Sequence, residues 1–183
     1  MTTVLYCHSK VYEDSQSTIR HWASDAIWVD TSGSDFAYSQ ALRQYWGEAG
    51  DLIVIEHDIK ITKRTLPSFA ECPQPWCSFC FDVKGQLIDF ALGCTKWSEE
   101  ARRLISPPKR ENWRTLDVRL RELFIWQGLE PHNHGMVEHL HPYTPDMNRF
   151  DENLVTWIDR GDAQIVASSG HRGPPLPESP FTA

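Results

Sequence analysis

Two stretches of the chain, AIWVD at residues 26–30 and DLIVIEHD at residues 51–58, are short apolar runs without alternation that end in acidic residues. An apolar run with no alternating polar positions buries both of its faces, and short runs of this kind belong to a parallel sheet covered by helices on either side. Between them, Phe36 to Trp46 has helical spacing and is stopped by Gly47 and Gly50. Ahead of them, Thr2 to Cys7 reads as a β-prone run, and Ser15 to Trp22 as a helix with Ser15 or Ser17 near its N-cap. The resulting order of strand, helix, strand, helix, strand predicts one compact α/β, Rossmann-like domain with a mainly parallel sheet and helices on both faces.

The pattern changes beyond Pro67. Trp76 to Val83 and Leu87 to Leu92 predict short strands, and Ser98 to Ile105 a helix opened by Ser98 and ended by Pro107-Pro108. Thr115 to Gln127 carries Leu116, Leu120, Leu123 and Phe124 on one helical stripe and is closed by Gly128. In VEHLH the alternating Val137, His139 and His141 share one face of a predicted strand. Residues 1–169 are read as the domain, and the proline-rich stretch 170–183 as a flexible tail.

At 183 residues the chain can bury a core without disulfides. Its five cysteines lack the regular spacing of a secreted scaffold, which favours reduced thiols, and MTTVLYCHSK has no secretory pattern, so a cytoplasmic setting is expected. No apolar stretch approaches the ~20 residues of a membrane helix, so no membrane partner is expected. A net charge of -7 excludes attraction to nucleic acid by the field of the whole molecule. A local basic patch would have to supply it, from Lys60, Lys63 and Arg64 or from Arg102, Arg103, Lys109, Arg110 and Arg114.

In parallel sheets ligands gather beyond the carboxyl ends of the strands, where Asp30 and Glu56-His57-Asp58 fall. A divalent cation on a diphosphate takes hard oxygen ligands, and manganese also accepts imidazole. Glu56, Asp58, His139 and His141 supply those donors, and alternation along a strand would put Glu56 and Asp58 on one side. Cys72, Cys77 and Cys80 could be zinc ligands with a histidine as the fourth. Cys77 and Cys80, however, point to opposite faces of a strand, which favours buried thiols. Most tryptophans are assigned to the core; Trp97 is the exception, expected to stack on a sugar or base.

Taken in order, the segments VDTSGSD, EHD, GCTKW, LDVRL and VEHLH resemble the GT-A-type nucleotide-sugar glycosyltransferases, the family-2-like ones in particular, and small glycosyltransferases encoded by actinobacteriophages. The resemblance spans about residues 2–142. It implies that Glu56-His57-Asp58 is the D-x-D-like triplet for the metal, Mn2+ or Mg2+, and for the diphosphate of the donor, a UDP-sugar by preference. It implies that Gly93, Cys94 and Trp97 line the donor sugar, that Asp30 with Thr31 or Ser32 meets the nucleobase or ribose, and that Asp117 is the catalytic base of an inverting transfer. His139 or His141 would complete the metal shell. Leu116 stands where the family has an acidic residue, which leaves Asp117 without a partner carboxylate in sequence. A hydroxylated base in phage DNA is a candidate acceptor.

Two other functions use the same residues. A metal-dependent phosphoesterase or nucleotide pyrophosphatase would use the Glu, Asp and His donors with an activated water and no base on a distant helix. A noncatalytic zinc-stapled binding module would be built on the cysteines.

Overall fold

The computed structural model describes residues 1–83, 86–88 and 92–140. Nine strands and five helices follow one another in these residues: β1 Thr2–His8, α1 Glu13–Trp22, β2 Ile27–Asp30, α2 Ala37–Tyr45, β3 Asp51–Glu56, β4 Ile59–Lys60, α3 Thr65–Glu71, β5 Trp76–Val83, β6 Gln86–Ile88, β7 Cys94–Trp97, α4 Glu99–Leu104, α5 Trp113–Trp126, β8 His132–Met136 and β9 Glu138–His139. The main sheet runs β2-β1-β3-β7-β5-β6, with β8 also paired to β5, and β4 pairs with β9 in a ribbon of its own. β1 runs parallel to both β2 and β3, and β8 parallel to β5, whereas β7 and β6 join antiparallel. The fold is the expected one: a compact, Rossmann-like α/β domain with a mainly parallel sheet and helices on both faces.

The alternation of side chains along the unbroken apolar strands builds two cores. Leu5, Cys7, Leu52, Val54 and Trp97 point to one face, where Tyr38, Leu42 and Trp46 of the α2 region, Ala101 of α4, and Leu116, Leu120 and Phe124 of α5 cover them. Tyr6, Ile53, Ile55, Cys77 and Cys94 point to the other, under Ile19 of α1 and Phe69 of α3. Arg102, a candidate for the basic patch, is instead 3% exposed. Its guanidinium donates to the carbonyls of Tyr45, Trp46, Glu48 and Gly50, closing the C-terminal end of α2 against α4. It is therefore unavailable to a phosphate.

Several local expectations are corrected. α1 begins two residues before Ser15, and Ser15 is not a cap: its hydroxyl is buried and donates to the Ile59 carbonyl at 2.7 Å. The break read at Pro67 is a helix, α3; Pro67 occupies its first turn, where a missing N–H costs nothing. The segment Gly93 to Trp97 is largely a buried strand, β7, flanked by β3 and β5. The tail and the 169/170 boundary lie outside the described residues.

Candidate functional site

Three parallel strands end side by side. His8, the last residue of β1, is in register with Asp30 of β2, and Cys7 with Glu56 of β3, so the carboxyl ends line one rim of the sheet. Glu56 projects toward the face covered by α2 and α5. There its carboxyl meets the Tyr38 hydroxyl and the charge of Asp117, which α5 carries to the same place. Burial first, then the neighbouring carboxylates of Asp58 and Asp117, push the Glu56 carboxyl up to about 8. Asp117 is also half-buried, and loss of solvent raises it to about 6. Asp117 and Glu56, far apart in sequence, are close enough in space for the charge of Asp117 to act on Glu56.

Asp117 is not an acid of the first helical turn. α5 starts at Trp113 with Asn112 as its N-cap, its side chain accepting from Arg114 N–H at 3.0 Å, so Asp117 lies in the second turn, beyond the orphan amides. Stabilisation by the helix dipole therefore does not account for its place at the border of the buried stripe.

Asp58 goes elsewhere than Glu56. β3 stops at Glu56, and His57-Asp58 form the turn into β4, so strand alternation does not govern Asp58. The Asp58 carboxylate accepts from His139 Nε2 at 3.3 Å, and β9 brings that histidine beside it through the Ile59–His139 register. The Leu140 N–H also donates to the Asp58 carbonyl at 2.7 Å. The His139 ring stacks on Phe81 with centroids 4.9 Å apart. The imidazole bond, together with the His57 and His139 charges, outweighs burial and holds the Asp58 carboxyl below its ordinary range. Asp58 Oδ1 is buried without a hydrogen-bond partner among the described residues. Glu56 does not join Asp58 and His139 in a three-ligand group with ligand atoms within 4.8 Å of one another, and His141 lies outside the described residues.

The remaining expected residues divide. Asp30 is exposed, and its carboxylate accepts from Ser32 N–H at 2.8 Å, capping the turn that holds Thr31. Gly93 lies against the site: its carbonyl accepts from Glu56 N–H at 2.9 Å, and a Cβ there would sit 2.6 Å from the Phe81 ring. Cys94 and Trp97 are core residues. Cys94 is wholly buried, and the Trp97 indole packs against Trp46 and Phe124, so neither side chain presents a face to a ligand.

Four residues at the rim were not singled out in the sequence. Tyr38 faces Glu56; His8 and Trp28 flank Asp30, with the Trp28 indole 37% exposed and Arg20 5.2 Å over its ring; and Tyr12 stacks on His57 at 5.3 Å. His8 stands one residue past the β-prone run Thr2 to Cys7, and its pairing with Asp30 emerges only from the β1–β2 register. Tyr38 carries no local signal, because only the helix packing turns it toward Glu56.

No family model matches the chain, and no curated protein is significantly similar to it. Among solved structures it is similar to A197 from STIV, with a TM-score of 0.55 and 13% identity over 79% of this chain and 87% of that one. It is also similar to a glycosyltransferase involved in the glycosylation of the major capsid of PBCV-1, with a TM-score of 0.49 and 10% identity over 78% of this chain and 95% of that one. At these identities the likeness is one of fold.

Proposed function

We propose that this chain is a glycosyltransferase that moves a sugar from a nucleoside diphosphate sugar, a UDP-sugar first among them, to an acceptor hydroxyl with inversion. The observation that carries the reading is the convergence of Asp117 and Glu56 at the carboxyl end of β3, two half-buried carboxyls with separated protonation ranges of about 6 and about 8. Near neutral pH Asp117 is mostly ionised and Glu56 mostly protonated. Asp117 is then suited to take the proton of an acceptor hydroxyl as its oxygen attacks the anomeric carbon, and a single base on the face opposite the leaving group gives inversion. Glu56 presents an O–H to the donor in place of a second anion. Asp30 and Thr31, with the exposed Trp28 face beside them, suit the ribose and base of the donor.

A carboxylate with one unpartnered buried oxygen and an adjacent imidazole is a donor set that fits Mn2+ or Mg2+. Asp58 and His139, with His141, would hold the cation, which when bound neutralises charge on the departing diphosphate. A hydroxylated base of phage DNA is the acceptor class we favour. With Arg102 buried, contact with its phosphates falls to the exposed Lys63, Arg64, Lys109, Arg110 and Arg114.

The test is a donor screen of the purified chain against nucleoside diphosphate sugars with manganese. Slow hydrolysis of one donor, lost in Asp117→Asn or Asp58→Asn, is the expected result. If no sugar is released from any donor, with or without hydroxymethylated DNA, the transferase reading is overturned.

A further inference from the structure

Away from the rim, α3 ends at Cys72, which packs beside strand β8. The Cys72 thiol and one ring nitrogen each of His132 and His134 lie within 4.8 Å of one another, the group of three or more metal-binding side chains found among the described residues. The two histidines are i and i+2 on β8 and so share a face, while Asn133 between them turns to the Cys80 thiol on the other. His134 is held by its surroundings: its ring lies against Phe79 at 5.4 Å and edge-on to Phe69 at 5.7 Å. Its Nε2 is buried without a hydrogen-bond partner. A buried imidazole nitrogen with no partner is costly unless something occupies the position in front of it.

From this cluster we propose a zinc site made by Cys72, His132 and His134, distinct from the Asp58–His139 pair. The ligand types are those zinc prefers, one soft thiolate and two imidazoles. A tetrahedral ion with bonds of ~2.0–2.3 Å holds its ligand atoms about 3.3–3.7 Å apart, so a movement of about 1 Å closes the cluster, and the exposed His132 ring is free to make it. The fourth position belongs to Cys77 or to water; Cys77 is opposite His132 in the β5–β8 register, and its free thiol lies beside the free thiol of Cys72. Lys96, whose ammonium donates to the Phe69 and Cys72 carbonyls at 3.0 and 2.8 Å, fixes the end of α3 that carries Cys72. The ion would fasten α3 to β8, and through β8 the strand β9 that places His139.

The experiment uses the full chain, stripped with a chelator and titrated with zinc and, separately, cobalt. We expect one tight equivalent of zinc and, with cobalt, thiolate-to-metal charge-transfer absorption together with the visible bands of a tetrahedral ion. Cys72→Ser should abolish the charge-transfer band. His132→Asn, at an exposed position that cannot cost the fold, should weaken zinc by more than the roughly 10- to 100-fold that loss of an outer-shell partner brings. Cys80→Ser and Asp58→Asn should leave both metals bound as before. The proposal is overturned if no stoichiometric metal binds, if the band survives in Cys72→Ser, if His132→Asn binds zinc as tightly as the parent chain, or if Asp58→Asn removes the tight equivalent.

Discussion

Glu56→Gln should stabilise the protein, and increasingly so as pH rises. The folded chain raises the Glu56 carboxyl from 4.5 to about 8, chiefly by burial and then by the charges of Asp58 and Asp117. Below about pH 4.5 the group is protonated in both folded and unfolded states and costs nothing. Between about 4.5 and 8 the unfolded chain sheds the proton that the folded chain retains, so stability falls with rising pH, by at most ~1.4 kcal/mol per pH unit. From pH 5 to 7.5 the ceiling is therefore ~3.4 kcal/mol; solvent reaching a half-buried carboxyl brings this to about 1.5–2 kcal/mol. Glutamine has nearly the same shape and no proton to lose. For a domain of this size that difference raises Tm by roughly 4–8 °C at pH 7.5, with little change at pH 5. Thermal melts of both chains from pH 5 to 8.5 read the gap directly. A gap that does not widen with pH, or a variant that melts below the parent at pH 7.5, refutes the idea that Glu56 is held in an environment hostile to its charge.

Asp117→Asn should keep donor affinity and lower transfer at least about a hundredfold, and transfer by the parent chain should rise with pH through about 6, where Asp117 loses its proton. Asp58→Asn should abolish metal-dependent donor binding by calorimetry and leave the circular dichroism spectrum unchanged; unaltered donor affinity would remove Asp58 from the site. His139→Ala should weaken manganese more than magnesium, because imidazole suits the softer ion, and equal loss would leave His139 only its packing on Phe81. Gly93→Ala sets a Cβ 2.6 Å from the Phe81 ring and should cost about 1–3 kcal/mol, seen as a lowered urea midpoint with an unchanged slope.

What the sequence showed and what it hid follow from the range of the interactions. β3 was readable because four consecutive apolar residues need cover on both faces, a demand visible without knowing what supplies the cover. The second half of the chain was harder. β7 holds a lysine among its four residues, and Lys96 is buried only because two carbonyls at the end of α3 and the Asp51 carboxylate 3.8 Å away accept it. Nothing within reach along the chain announces those partners. The same holds for Asp117, whose charge acts on Glu56 across the fold, and for Cys72, whose company is two histidines sixty residues on and not the nearer Cys80. Trp97 shows the converse error: a tryptophan beside a glycine suggested a ligand platform, but its place in a central strand made it core.

The ribbon of β4 and β9 sets an order of events during synthesis. Asp58 leaves the ribosome with the first half of the sheet, but the histidine that holds its carboxylate and the Leu140 amide that holds its carbonyl are translated long afterwards. A nascent chain can therefore stack β1, β2 and β3 while this turn is still bare. Arresting translation with β9 still inside the ribosomal exit tunnel, and again once β9 has emerged, should separate a chain whose Asp58 turn is open from one in which His139 and Leu140 hold it.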